Sequence, residues 1–307
     1  MKSKEVDPRI KALTGEVAEG KTARHIEDMI NTALGFGRDR ATIAEVKLMS
    51  RALREMRNAA RIFARYNRVK KVAVFGSART KPEQDEFQQA VAFGEKIVEH
   101  GYMLITGGGD GIMGAAQKGA GAEKSFGLNI RLPFEQAANE TIHGDPKLIN
   151  FNYFFTRKLN FAKETHAFAL FPGGFGTQDE LFEALTLIQT GKSNLVPVVL
   201  LEHEGGDYWR NWEEGCVLPL ARRRLISPED RGLYSIHTDP AAAVAELVGF
   251  YRRYHSMRFV GKELVLRLQT PLTDAELARF EREFRADLCE KDTTFRRVDA
   301  FAEEEEH

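Results

Sequence analysis

Two glycine-rich segments hold the residues best suited to chemistry in this 307-residue chain, each set between a short apolar run and a helical pattern. The first is Thr106-Gly107-Gly108-Gly109-Asp110-Gly111-Ile112-Met113-Gly114, and the second is Pro172-Gly173-Gly174-Phe175-Gly176-Thr177-Gln178-Asp179-Glu180. Glycine lets backbone N–H groups approach an anion with no Cβ in the way, and the amino end of a helix adds partial positive charge. The helix field alone contributes roughly 0.3–1 kcal/mol, so several direct N–H bonds must carry most of the grip on a phosphate. Tight helix–strand packing is the structural alternative for the first set of glycines.

In the second segment Asp179 and Glu180 put two carboxylates into one helical turn. Thr177 and Glu180 also have the spacing of a capping box, in which Thr177 caps the helix and Glu180 reaches back to its N–H. Both readings of Glu180 stand at this point. The pattern Gly109-x-Gly111-x-x-Gly114 fits the dinucleotide fingerprint, but that motif follows the first strand of its unit and wants an acidic residue at the end of the next. Here the next run ends Leu128-Asn129-Ile130-Arg131. Gly191-Lys192-Ser193 fails as a P-loop because Thr186 stands where its first glycine belongs. His100, His143, His166, His203 and His237 lack metal-ligand spacing, so neither a metal nor a cofactor is expected.

The elements that must position these loops are legible from hydrophobic periodicity. Residues 1–69 read as a helical extension, with Ile43, Val46, Met49, Leu53 and Met56 at three- and four-residue steps. From Lys70, short apolar runs alternate with helices: Val72 to Phe75, Met103 to Thr106, Ser125 to Ile130, Ala167 to Phe171 and Val196 to Leu201. That alternation predicts an α/β fold with a doubly wound parallel sheet, here assigned to residues 70–254. Ligands of such sheets bind beyond the carboxyl ends of the strands, where Gly76, Gly107 to Gly114 and Gly173 to Gly176 all fall. Residues 255–307 read as a small α+β add-on with a strand at Leu264 to Leu268, a helix from Thr273 to Leu288 capped by Thr273, a further strand near Phe295 to Val298, and an acidic tail.

A 43% hydrophobic and 29% charged composition is that of an ordinary globular protein able to build its core without disulfides. Cys216 and Cys289 form no CxxC or Cys/His cluster and read as reduced thiols. The amino terminus is polar and shows no signal peptide, and the run Leu195 to Leu201 is too short for a bilayer, so a cytoplasmic protein off the membrane is expected. A net charge of -1 gives no basic surface for nucleic acid.

Phe154-Phe155-Thr156-Arg157-Lys158, followed by Pro172 to Glu180, resembles the paired RK and PGGxGTxxE motifs of the LOG ("lonely guy") family. These are cytokinin riboside 5'-monophosphate phosphoribohydrolases, often mislabelled lysine decarboxylases. Gly107 to Gly114 is similar to their GGGxxGxMG loop but one residue shorter, and Phe75-Gly76-Ser77-Ala78-Arg79 is similar to their first-strand motif. The resemblance covers roughly residues 70 to 250, and the chain looks closer to the longer bacterial branch. Phe154-Phe155-Thr156 departs from the Met-containing run of the plant enzymes, which bears on the base more than on the reaction.

The resemblance implies a Rossmann-like fold, usually dimeric, that releases free base and ribose 5-phosphate. It implies Arg157 and Glu180 as the catalytic pair. Gly76, Ser77, Gly107, Gly108, Gly109, Lys158, Gly173, Gly174, Gly176, Thr177, Gln178 and Asp179 would line the substrate, with Thr186 and Glu135 as further contacts. A nucleoside monophosphate, adenylate or N6-modified adenylate, is the expected partner, and a homodimer or higher homo-oligomer the expected assembly. Cleavage of an N-glycosidic bond passes through a cation-like sugar and wants a carboxylate near the anomeric carbon, which Glu180 would supply. Arg157 cannot be a general acid and would instead fix Glu180 or the nucleotide by charge-assisted hydrogen bonds. A non-catalytic nucleotide or alarmone sensor using the same loops is the competing reading. A DNA-processing protein is a third.

Overall fold

In the computed structural model of the chain, residues 7–132, 137–260, 263–288 and 294–298 are described. The chain divides into two compact units, Met1–Asn58 and Ala59–His307. The first holds α1 (Pro8–Gly15), α2 (Gly20–Arg38) and most of α3 (Ile43–Phe63). Local chemistry sets their starts. Asp7 accepts from the Arg9 amide ahead of Pro8 at the first turn of α1. Thr42 and Glu45 form a reciprocal capping box at α3.

The second unit is built on seven parallel strands. They are β1 (Lys71–Phe75), β2 (Met103–Thr106), β3 (Ser125–Ile130), β4 (Leu148–Phe151), β5 (Ala167–Leu170), β6 (Val198–Leu201) and β7 (Ser235–His237), in the order β4-β3-β2-β1-β5-β6-β7. Side chains alternate across the sheet. Ala73, Phe75, Ile105, Phe126, Leu170 and Leu200 enter one apolar layer, while Val72, Val74, Leu104, Ala169, Val199 and Leu201 enter the other. Residues from α6 (Phe154–Glu164), α7 (Phe175–Gln189) and α8 (Tyr208–Trp212) cover the first layer. The second is covered from α4 (Asp85–Glu99), α5 (Ile112–Ala120) and α10 (Pro240–Arg253); the short α9 (Leu218–Arg222) follows α8 in the chain. The fold is thus a doubly wound α/β sheet of Rossmann type. Its strand order reverses between β1 and β5, the switch point at which such sheets form ligand crevices.

Several sequence expectations are corrected. The run from Val196 becomes strand only at Val198, because Pro197 brings no N–H and its carbonyl serves the Phe168 amide instead. β4 and β7 carry too little apolar pattern to announce themselves, being four and three residues long. Beyond α10 an antiparallel hairpin pairs β8 (Tyr254–Val260) with β9 (Glu263–Leu268), followed by α11 (Asp274–Leu288). Thr273 and Glu276 cap α11 reciprocally. Phe295 to Val298 is not a strand; the Phe295 ring packs edge-on against Phe280 of α11, so its apolar character serves the helix.

Helices α4 and α5 meet backbone to backbone. A Cβ on Gly119 would lie 2.1 Å from the Val91 carbonyl oxygen, and one on Gly94 2.2 Å from that of Ala116. Gly119→Ala should therefore lower stability by about 1–3 kcal/mol, since the helices must part. Gly249→Ala, in α10 with nothing within 4 Å, should raise it by up to about 1 kcal/mol. Chemical denaturation of the two variants checks both; equal midpoints would mean the α4–α5 contact is not tight.

Candidate active site

Three neighbouring strands, β2, β1 and β5, end in glycine loops that interlock. The Ser77 amide donates to the Pro172 carbonyl at 3.0 Å, and the Ser77 carbonyl accepts from the Ile112 amide at 3.0 Å. Gly76-Ser77 is therefore held between the second and first glycine segments. No side chain fits there: a Cβ on Gly111, at φ +64°, would lie 2.2 Å from Ser77 O, and one on Gly173 would lie 2.1 Å from Thr177 Oγ1. The first segment is also tied down from a distance. Asn139 Nδ2 donates to the carbonyls of Gly108 (3.0 Å) and Gly109 (2.9 Å) and to Gln117 Oε1 (2.7 Å).

Helix α7 begins at Phe175 with Gly174 as its cap residue, three residues earlier than a Thr177 cap would place it. The capping-box reading of Thr177 and Glu180 is thereby overturned. Thr177 is buried and its amide donates to the Gly174 carbonyl, so the first-turn N–H groups without an intrahelical partner are those of Phe175 and Gly176. Glu180 follows four to five residues later, about 6–8 Å along the axis, and is itself buried.

Arg157 and Lys158 approach from α6. Arg157 Nε donates to the Leu128 carbonyl at 2.7 Å, its guanidinium carbon lies 5.2 Å from the Phe161 ring centre, and its Nη2 sits where a Gly107 side chain would be. It makes no direct ion pair with Glu180. Contact with Glu180 comes from Lys158 instead, whose Nζ lies 3.8 Å from Glu180, 2.8 Å from Asp179 and 2.6 Å from Glu183. Lys158, Asp179, Phe182, Glu183, Thr186 and Leu187 line an open groove of about 410 Å³ on the outer face of α6 and α7. Thr186 belongs to that groove, roughly 13 Å along the helix from Thr177, and not to the glycine loops. Gln178 turns its amide onto the Tyr208 hydroxyl at 2.8 Å. Glu135 lies outside the described residues. Asn139 and Tyr208 carry no sequence signal, because their roles arise only from tertiary hydrogen bonds.

A family profile described as "Possible lysine decarboxylase" matches residues 113–247. A cytokinin riboside 5'-monophosphate phosphoribohydrolase of Arabidopsis thaliana is 32% identical over 175 residues, 52% of this chain and 77% of that protein. The chain belongs to the LOG family. A probable LOG enzyme of Oryza sativa subsp. japonica is likewise 32% identical, over 57% of this chain and 79% of its own length. Among solved structures, the molybdenum cofactor binding protein of Rippkaea orientalis aligns at 20% identity with a TM-score of 0.42, over 59% of this chain and 96% of that one. The Moco carrier protein of Chlamydomonas reinhardtii aligns at 23% and 0.41, over 59% and 97%.

In this LOG-family chain, burial pushes the Glu180 carboxyl up to about 7. The charges of Lys158 and Arg157 pull it back, while Glu183 and Asp179 raise it further. Burial likewise pulls the Arg157 guanidinium below its ordinary value, against the charges of Glu180 and Asp179. For the Lys158 ammonium, burial is the largest influence and lowers it, but hydrogen bonds to Asp179 and Glu183 and the charges of Glu180 and Glu183 leave it raised. Among the described residues no cluster of His, Cys, Asp or Glu is disposed to hold a metal ion. No described helix is long and apolar enough to cross a membrane.

A carboxyl raised on folding stabilises the protein below its unfolded pKa, and that contribution is lost as pH climbs through the folded value. Wild type should therefore lose stability relative to Glu180→Gln between about pH 4.5 and pH 7, by at most about 3 kcal/mol. Paired thermal melts at pH 4.5 and pH 8 check this. A melting difference that does not change with pH would place Glu180 in a solvated site.

Proposed function

We propose that the chain hydrolyses the N-glycosidic bond of a nucleoside 5'-monophosphate, favouring adenylate or an N6-modified adenylate, to free base and ribose 5-phosphate. The observation that carries this reading is the buried Glu180 carboxyl, set one to two turns beyond the open amides of Phe175 and Gly176. A phosphate on those amides leaves the ribose to run along α7, so that its anomeric carbon reaches Glu180. The names of the plant relatives support the same reaction class.

As the C–N bond breaks, its electron pair leaves with the base and positive charge grows on the sugar. The Glu180 carboxylate stabilises that charge and orients a water molecule. The water oxygen bonds to the anomeric carbon, and one of its protons balances the departing base. The charges of Lys158 and Arg157 favour the ionised form of Glu180 and partly offset its burial. Arg157, fixed on Leu128 O, lies over Gly107 at the opposite wall. A decarboxylase built on a lysine Schiff base fits poorly, because Lys158 is held protonated among three carboxylates. Exposed Phe154, Phe155 and Leu159 on α6 and Phe182 on α7 support self-association through the face beside this site.

Glu180→Ala and Arg157→Ala should each lower base release from AMP by roughly a hundredfold or more while the protein remains folded. Chromatography of products from AMP, GMP, CMP, UMP and isopentenyl-AMP measures this and ranks the bases. Near-normal turnover by either variant would remove that residue from the mechanism. Tight binding with no product from the wild type would favour a sensor.

A further inference from the structure

Tyr208 stands outside both glycine segments and outside every motif that identifies the family, yet its hydroxyl joins the second segment at two points. It donates to the Gly173 carbonyl and accepts from Gln178 Nε2 at 2.8 Å. The hydroxyl has one proton, committed to Gly173, so Gln178 must present its NH₂ group. Gln178 Oε1 accordingly has no hydrogen-bond partner among the described residues.

The position of Tyr208 is not accidental. The next residue, Trp209, is fully buried, with its amide on Glu202 Oε2 at 2.8 Å and its indole Nε1 on the Leu201 carbonyl at 2.9 Å. The start of α8 is thereby fixed to the end of β6, next to the strand that carries the loop.

The Gly173 carbonyl and the Gly174 N–H belong to one planar trans peptide, so they point in opposite directions. A hydrogen bond that fixes the carbonyl fixes the aim of the N–H. Gly174 is exposed and a Cβ there would meet nothing within 4 Å, so space for an anion lies open at that residue. Two adjoining glycines would otherwise leave this peptide free to rotate.

The geometry points to Tyr208 as the positioning residue of the phosphate loop: it latches the Gly173 carbonyl, braced by Gln178, and so aims the Gly174 amide at the 5'-phosphate. This rests on the proposed substrate class. The latch acts equally on bound substrate and transition state, so its loss raises KM and leaves kcat nearly unchanged.

The test uses the full-length chain and its Tyr208→Phe variant. Loss of one hydrogen bond's worth of orientation should raise KM for AMP about tenfold. Ribose 5-phosphate and inorganic phosphate should weaken as competitors by a similar factor, while inhibition by free adenine stays unchanged. Gln178→Leu should give a smaller effect by the same route, and the double variant should be no worse than Tyr208→Phe. Equal phosphate affinity in wild type and Tyr208→Phe overturns the latch. So does an equal loss for adenine, which marks a general structural defect. If the wild type releases no base, the substrate reading falls, and calorimetric binding of inorganic phosphate to both proteins still judges the latch. Absence of phosphate binding to the wild type overturns both.

Discussion

Everything at this site depends on backbone approaching backbone where β2, β1 and β5 end. The peptide after β1 is clasped by Pro172 on one side and by the start of α5 on the other, at distances that leave no room for a side chain at Gly111 or Gly173. Such contact brings two helix amino ends and three strand ends to one crevice at the reversal of strand order. It also concentrates peptide N–H groups where an anion can reach them.

Charge is then arranged around that crevice by two helices. Two cations, Arg157 and Lys158, face three carboxylates, Asp179, Glu180 and Glu183. The pairs of Lys158 with exposed Asp179 and half-buried Glu183 contribute little stability, being open to solvent screening. Glu180 differs because it is buried, and its ionisation depends on the neighbouring cations. Arg157 acts on Glu180 through its field rather than by contact, with its Nε hydrogen bond spent on Leu128 O.

The sheet was legible in the chain because buried parallel strands leave continuous apolar runs, three of which lead into glycine segments. Met103 to Thr106 and Ser125 to Ile130 are strands with the bounds that their composition predicts. β4 and β7 were not, being short and only partly buried. The glycines, Arg157, Lys158 and Glu180 could be picked out because their chemistry is local and their spacing regular. The start of α7 could not, since capping chemistry at Thr177 competes on paper with a glycine cap at Gly174. Asn139 lies about 30 residues from the loop it ties, and Tyr208 as far from Gln178, so neither has a local pattern to read.

The most direct measurement is a crystal structure of Glu180→Gln with AMP bound. The phosphate should rest on the amides of Gly174 to Gly176, with the anomeric carbon against the side chain at position 180. A nucleotide lodged only in the outer groove beside Thr186, or seated in the loop with its sugar turned away from that side chain, would contradict the proposed chemistry.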